Sequence, residues 1–248
     1  MLLYERPVAL SRDTHRNLRL RPNGTTHAYS YASRTNSVPL VCSEFQAAVS
    51  EYPIVFARDD KNEVLPVALL GLRQNENVFV SPEGSWDGVY VPAFVRRYPF
   101  LLAAKPAPDD FTVCIDEAYA GFAPGGEGEP LFADDGIEAP ALKQAIEFLN
   151  NFHGELKRTQ AFVERLKALD LLIPRVIQFA PKNSSPCVLQ GFTVVDEQRL
   201  VALDDRQVGE LVRTGYMRWI YAHLLSLANV AGLSRRFESC VARDMNTT

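Results

Sequence analysis

The residues best suited to chemistry are concentrated in residues 90–100, which read Y-V-P-A-F-V-R-R-Y-P-F. A guanidinium group binds carboxylates and phosphates through paired hydrogen bonds. Arg96 and Arg97, together with Tyr90 and Tyr98, are therefore candidate ligand-binding residues. The alternative is that the arginines pair with acidic neighbours inside the fold or lie in solvent, and the sequence favours this second interpretation.

A second group of aromatic residues lies near the C-terminus, where Trp219 and His223 fall in one helical pattern with Tyr216 and Tyr221. Polar-tipped aromatics of this kind usually pack in the core with their tips hydrogen-bonded, which is the favoured interpretation. The more specific alternative is that these residues line a pocket for an aromatic ligand or a partner peptide. Trp219 and His223 are accordingly included among the candidate ligand-binding residues.

No other pattern indicates catalysis, a metal or a cofactor. The adjacent carboxylates Asp116 and Glu117 would point to opposite faces of a strand, so they do not converge on one substrate. No G-x-S-x-G motif is present, and no catalytic residue is assigned. The histidines lack the spacing of metal ligands, and we predict neither a metal site nor a cofactor; they are His15, His27, His153 and His223.

Composition excludes several classes of protein. The chain has 248 residues, 47% apolar residues and a formal net charge of -4, which is typical of a globular protein and gives no basic footprint for nucleic acid. No apolar run is long enough to cross a bilayer, and residues 1–10 do not read as a signal peptide, so we expect a cytoplasmic protein without membrane insertion. The four cysteines are widely separated, which predicts reduced thiols.

The pattern of apolar runs around these residues predicts an α+β fold. Apolar runs at 54–57, 64–72 and 78–80, parted by polar tetrads, indicate an antiparallel meander, and strands at 101–104 and 111–115 follow. We expect mainly antiparallel sheet in the N-terminal half, packed with long helices from the C-terminal half. The prediction is one domain over residues 1–248, with a subdivision into 1–136 and 137–248 as the alternative.

Several local predictions complete this outline. Leu18 and Leu20 alternate with arginines, which indicates an edge strand, and Ser43 with Gln46 reads as a helix-capping pair. The glycine-rich residues 121–136 predict a surface loop, and a short helix is expected between Pro92 and Pro99. Apolar residues at spacings of three and four predict a helix of roughly thirty residues from Pro140.

In the C-terminal half, residues 172–180 and 188–203 are expected to be strands, with a hairpin loop at 196–199. Asp204 and Gln207 read as a second capping pair at the start of a short helix. The last helix is predicted to end near Val230, and the polar residues beyond Gly232 are expected to fray.

The order of several sequence blocks resembles the SapC family of bacterial proteins. The block from Trp86 is the most specific of them, and the resemblance spans nearly the whole chain. The blocks are P-L-V-C-S-E-F from Pro39, Y-P-I-V-F from Tyr52, P-V-A-L-L-G-L from Pro66, W-D-G-V-Y-V-P-A-F-V-R-R-Y-P-F from Trp86, G-E-P-L-F from Gly128 and I-Y-A-H-L-L-S-L from Ile220.

The resemblance implies an accessory or binding role, because the family is named after a surface-layer locus and has no established catalytic residues. Similar proteins are associated with genes for cupin-type oxygenases, flavin-dependent tryptophan halogenases and outer-membrane receptors. Three hypotheses follow. The leading one is a non-enzymatic protein that binds a peptide, a small molecule or a protein partner. The others are an enzyme acting on a carboxylate-bearing substrate near Arg96 and Arg97, and a structural module that forms homo-oligomers through the long helix.

Overall fold

The computed structural model describes residues 2–21, 28–59, 61–107, 110–179 and 187–246. The strands are β1 Pro7–Ala9, β2 Leu18–Leu20, β3 Ser37–Pro39, β4 Ile54–Arg58, β5 Val64–Leu69, β6 Phe100–Ala104, β7 Phe111–Asp116, β8 Phe122–Pro124, β9 Glu129–Pro130, β10 Leu172–Phe179 and β11 Cys187–Val195. The helices are α1 Arg12–His15, α2 Phe45–Ala48, α3 Ala93–Arg96, α4 Pro140–Ala168, α5 Glu197–Val201, α6 Asp205–Arg213, α7 Tyr216–Ser226 and α8 Val230–Asn246.

The largest sheet has five antiparallel strands in the order β10-β11-β4-β5-β3. Its middle strand, β4, buries the side chains of Ile54, Val55 and Phe56 in succession, so both faces of the sheet are covered there. Helix α7 packs against β4 and β11. The antiparallel sheet packed with helices confirms the predicted α+β class, although β10 and β11 bring strands from the C-terminal half into the sheet.

Two smaller sheets have three strands each, in the orders β1-β7-β6 and β8-β2-β9. The second corrects the prediction that Leu18–Leu20 is an edge strand, because β2 is its middle strand. Its neighbours come from residues 121–136, which were expected to form a surface loop and instead contain β8 and β9. Leu131 follows β9 and is fully buried, so this glycine-rich segment is attached to the body of the fold.

Helix α4 is 29 residues long and connects the cores of the molecule. Pro140 occupies its first turn, where a missing amide costs nothing. Leu149 packs in a cluster with the smaller sheets, whereas Phe152 and Phe162 pack in the largest core, which draws residues from both sides of residue 137. The predicted apolar stripe of the long helix is therefore covered by the chain itself along much of its length.

Two predictions for the C-terminal region are wrong. Residues 197–201 form helix α5 and not part of a hairpin, because the Asp196 carboxylate accepts the amides of Gln198 and Arg199 and so caps a helix. Residues 233–246 are not frayed but belong to α8, where Leu233 and Phe237 are buried one turn apart. The capping pair of Asp204 and Gln207 is confirmed at the start of α6.

The run at 78–80 is a loop joined to Trp86 by one bridge from Val80, so the expected third strand of the meander is absent there. Cys42 and Cys114 are free and buried, and Cys240 is free and half-buried. The side chain of Cys187 and the ring of His27 lie outside the described residues.

Candidate functional site

Two carboxylates hold the segment that leads into α3. The oxygens of Glu51 accept the amides of Val89 and Tyr90 at 2.7 and 2.8 Å. Glu44 Oε1 accepts the Tyr90 hydroxyl at 2.6 Å and the Ala93 amide at 2.7 Å, which is a free amide of the first turn of α3. Tyr90, one of the predicted ligand-binding residues, therefore has a carboxylate partner inside the fold, and burial raises the pKa of its hydroxyl.

Glu44 also corrects the predicted capping pair of Ser43 and Gln46. Its Oε2 accepts the Val41 amide at 3.0 Å, while its own amide donates to the Val41 carbonyl, so the reciprocal capping pair is Val41 with Glu44, two residues before the predicted pair. Sequence reasoning missed Glu44 because its partners at Tyr90 and Ala93 are 46 and 49 residues away.

Arg96 lies at the surface, above the rings of Tyr90 and Phe148, with its guanidinium carbon 5.7 and 5.2 Å from the two ring centroids. Arg96 Nε donates to the Val91 carbonyl at 2.9 Å. No carboxylate among the described residues forms an ion pair with it. An exposed guanidinium held over aromatic rings has donors left for a ligand.

Arg97 turns inward from the same helix and lies between aromatic side chains. Its guanidinium carbon is 3.9 Å from the ring centroid of Phe94, 5.4 Å from that of Phe152 and 5.7 Å from that of Tyr4. Burial lowers the pKa of Arg97, and its Nε has no hydrogen-bond partner. The expected ion pairs of the two arginines with acidic neighbours are thus not formed among the described residues; ring faces take the place of carboxylates.

Tyr98 is the fourth predicted residue of this stretch, and it is buried. Its hydroxyl donates to Asp116 Oδ2 at 3.2 Å, and its ring stacks on Tyr31 at 3.9 Å between centroids. Asp116 also accepts the amides of Glu5 and Arg6 at 2.8 and 2.9 Å. Burial alone would raise the pKa of Asp116, but these hydrogen bonds favour the carboxylate and lower it. Tyr98 therefore belongs to a network that attaches the N-terminal segment.

Trp219 and His223 lie in the main core on α7. The Trp219 ring packs on Phe162 with centroids 5.4 Å apart. His223 Nε2 accepts the Val195 amide at 3.0 Å, which leaves Nδ1 to donate to the Ile54 carbonyl at 2.8 Å. Burial lowers the pKa of His223 to about 4, so the ring is neutral and connects α7 to two strands of the large sheet.

The structure does not bring the two predicted groups together. Arg97 contacts Phe152 and Trp219 contacts Phe162, so both groups pack against α4 ten residues apart. At 1.5 Å per residue this separation is about 15 Å along the helix. A single ligand-binding centre containing all six predicted residues is therefore not formed, and their role in ligand binding stays a prediction.

A different set of arginines surrounds a cavity of about 600 Å³ between α8 and the loop before α3. We call this cavity the α8 groove. Three of its lining residues are arginines and one is an acid. The lining consists of Val78, Asp87, Gly232, Arg235, Arg236, Ser239 and Arg243.

Helix periodicity places Arg235, Ser239 and Arg243 in one row, because residues four apart lie on the same helix face. Arg236 makes an ion pair with Asp87 at 2.6 Å and lies 4.5 Å from the ring centroid of Phe79. This pair connects α8 to the loop and forms one wall of the α8 groove. The Arg235 side chain is exposed, and no acidic partner for it is found among the described residues.

Two further cavities, of about 390 and 420 Å³, adjoin the α8 groove and share Val78 and Arg243 with it. Their linings are rich in hydroxyl and amide side chains and include Trp86. The residues that distinguish them from the α8 groove are Ser30, Ser33, Asn75, Glu76, Asn77, Val80, Ser81, Pro82, Glu83, Ser85, Trp86 and Cys240.

Sequence reasoning missed the arginines of the α8 groove because it expected residues beyond Gly232 to fray. The apolar spacing of Leu233 and Phe237, continued by the half-buried Val241, is the pattern that would have revealed α8. An amphipathic helix at this position would have placed Arg235 and Arg243 together on its polar face.

Among the described residues, no group of three or more histidine, cysteine, aspartate or glutamate side chains is arranged to hold a metal ion. None of the helices within the described ranges combines the length and apolarity needed to cross a membrane.

Comparison with known proteins gives a family. The model of the SapC family matches residues 10–233, which covers residues 90–100 and both predicted groups. No curated protein and no solved structure gives a significant match to the chain. Since the matched range includes most of the 248 residues, the chain belongs to the SapC family.

Proposed function

We propose that this protein is a non-enzymatic, cytoplasmic binding protein that holds an anionic small molecule or peptide in the α8 groove. One observation carries the proposal: a cavity of about 600 Å³ is lined by three guanidinium groups and one carboxylate. The name and gene setting of the family support an accessory role in surface-layer biogenesis or in an uptake and modification system.

The charge of the α8 groove favours an anion. Asp87 is already hydrogen-bonded to Arg236, while Arg235 is exposed and lacks an acidic partner among the described residues. A carboxylate or phosphate entering the groove would meet the donors of Arg235 without having to displace a protein carboxylate. The Arg235 guanidinium is exposed in the free protein, so folding costs little free energy for desolvating this charge.

The size of the α8 groove also suits a ligand. Pockets for small molecules commonly measure about 300–1,000 Å³, and the groove lies within that range. The family match ends at residue 233, before Arg235, so we propose this binding for the present chain and not for the family as a whole.

The proposal is tested by titrating the protein with inorganic phosphate and with succinate in a calorimeter. A charge-assisted hydrogen bond contributes about 1.5–3 kcal/mol, so Arg235→Gln should weaken binding about tenfold or more. Arg206→Gln is the matched control, since Arg206 is an exposed arginine on α6, away from the groove. Absence of binding by both anions, or equal affinities of the wild type and Arg235→Gln, would reject the site.

A second candidate is the enzyme acting on a carboxylate-bearing substrate near Arg96 and Arg97. The exposed guanidinium of Arg96, held above Tyr90 and Phe148, supports it. The same titration distinguishes the two sites: here Arg96→Gln, not Arg235→Gln, should weaken succinate binding about tenfold. If Arg96→Gln leaves the affinity unchanged, the predicted arginine pair has no part in binding this ligand.

The third hypothesis, homo-oligomer formation through the long helix, has weaker support. Much of the apolar stripe of α4, including Phe152, Phe162 and Leu166, is buried within the chain. Light scattering over a wide range of concentrations tests it, and a constant monomer mass would count against this role.

A further inference from the structure

We propose that the ligand is the C-terminal end of a peptide, with its terminal carboxylate in the α8 groove and its preceding residues in the two adjoining cavities. This inference rests on the proposed function and names the class of ligand for the same site. The observation behind it is that arginines predominate in the α8 groove, whereas hydroxyl and amide side chains and two glutamates line the adjoining cavities.

The three cavities adjoin one another and together form one depression. Val78 and Arg243 line all three of them, so the spaces meet beside these two residues. The wall formed by α8 extends from Gly232 to Arg243, which corresponds to about 16 Å of helix. An extended chain advances about 3.3 Å per residue, so this wall matches about five residues of peptide. A single phosphate or a short dicarboxylate would leave most of the depression unoccupied.

The charged side chains differ between the α8 groove and the adjoining cavities. Arg243 lines all three cavities, and Asp87 lines the α8 groove and the cavity that contains Trp86. Arg235 and Arg236 line the α8 groove, whereas Glu76 and Glu83 line the adjoining cavities. A ligand that is negative along its whole length would meet these carboxylates at one end, which disfavours nucleic acid and polyphosphate. A peptide that is negative at its C-terminus and neutral or basic before it matches the excess of arginines in the α8 groove and the glutamates that line only the adjoining cavities.

The remaining polar lining suits a peptide backbone. Ser81 and Ser85 lie in the cavity next to the α8 groove, and Ser30, Ser33 and Asn75 lie in the other. Hydroxyl and amide groups both donate and accept hydrogen bonds, as the amides and carbonyls of an extended peptide require. Trp86 lines the same cavity as Ser81 and Ser85 and offers an aromatic surface for an apolar side chain of the peptide.

The experiment uses the complete protein, immobilised, and two pools of random pentapeptides that differ only at the C-terminus. One pool carries the free carboxylate and the other the C-terminal amide, and mass spectrometry measures the retained fraction of each. We expect the free-acid pool to be retained about tenfold more, with lysine or arginine enriched before the last residue. Arg235→Gln should reduce this preference to about twofold or less, and Arg206→Gln should leave it unchanged.

A second variant tests the other end of the depression. Glu83→Gln should lower the enrichment of lysine and arginine in the retained peptides while keeping the preference for the free carboxylate. This separation of effects distinguishes a bound peptide from a non-specific attraction to the arginines, since a non-specific attraction depends only on overall charge.

Each outcome decides between the peptide and the broader proposal. Equal retention of both pools, or no retention while phosphate or succinate still binds in an Arg235-dependent manner, overturns the peptide inference and leaves the proposed function standing. If neither peptides nor small anions bind, both proposals fail. Preferential retention of a short single-stranded oligonucleotide added to the pools would also overturn the choice of a peptide.

Discussion

Two arginines of this protein, Arg97 and Arg235, lie in contrasting environments. Arg97 is enclosed by the rings of Phe94, Phe152 and Tyr4, and its Nε has no hydrogen-bond partner. Arg235 lies at the surface, on the wall of a cavity of about 600 Å³. Both belong to an arginine pair in the sequence, Arg96 with Arg97 and Arg235 with Arg236, but they differ in burial and in neighbours.

An arginine contributes differently to the protein in these two environments. A buried guanidinium packs its stem and its planar face against rings, so its removal costs packing as well as charge. An exposed guanidinium at a cavity contributes little to stability, because water already solvates it. We therefore expect substitutions around α3 to change stability and those in the α8 groove to change binding.

The largest effect is expected where a carboxylate holds the segment around α3. Glu44→Ala removes the acceptor of the Val41 and Ala93 amides and of the Tyr90 hydroxyl. Because buried donors are then left unpaired, the free energy of unfolding should fall by about 3–5 kcal/mol, measured by urea denaturation.

Glu164→Ala is the control for Glu44→Ala, since Glu164 is exposed and forms a surface ion pair with Lys167. It should change the free energy of unfolding by less than about 0.5 kcal/mol. Glu44→Gln, which keeps one acceptor oxygen, should fall between the two. A loss below about 1 kcal/mol for Glu44→Ala would mean that this carboxylate does not hold the segment.

The next effect is a dependence of stability on pH that comes from His223, which is fully buried on α7. His223 has a pKa of about 4 in the folded protein, against an ordinary value of 6.5. Between these values the unfolded chain binds the proton more readily, so stability is lost as the pH falls from 6.5 towards 4 and is retained above 6.5. The loss is about 3 kcal/mol at 1.4 kcal/mol per pKa unit.

Chemical denaturation at a series of pH values checks this loss. His223→Gln can still accept the Val195 amide but has no proton to take up, so it should remove most of the slope between pH 6.5 and 4. An unchanged slope in this variant would assign the dependence to other groups. Arg235→Gln should leave the slope intact, since Arg235 is an exposed side chain on α8.

The smallest effect on stability is expected from substitutions of Arg97 and Arg235, which can be compared directly. Arg97→Ala leaves a gap between Phe94 and Phe152 and should cost about 2–3 kcal/mol of unfolding free energy. Arg97→Met, which keeps most of the volume, should recover part of that loss, whereas Arg235→Ala should change stability by less than about 0.5 kcal/mol. Thermal and urea denaturation measure all three, and a larger loss for Arg235→Ala than for Arg97→Ala would reverse the comparison.

Much of the fold could be predicted from local patterns. The apolar spacing from Pro140 predicted α4, and the β-branched runs predicted β4 and β5, because these patterns follow directly from helix and strand periods. Predictions failed where a side chain or a distant strand decided the local structure. The Asp196 cap made residues 197–201 a helix, and pairing with β8 and β9 placed β2 inside a sheet.

The α+β class, the family and the proline-bounded helical turn within residues 90–100 all follow from local sequence patterns. Only the tertiary structure decided which arginine is enclosed by rings and which lines a cavity. The physical reason is separation along the chain: Tyr90 and Glu44 are 46 residues apart, and Asp87 and Arg236 are 149 apart. Local periodicity predicts which face of a helix is buried, but the partner that meets that face is fixed by the packing of the whole chain.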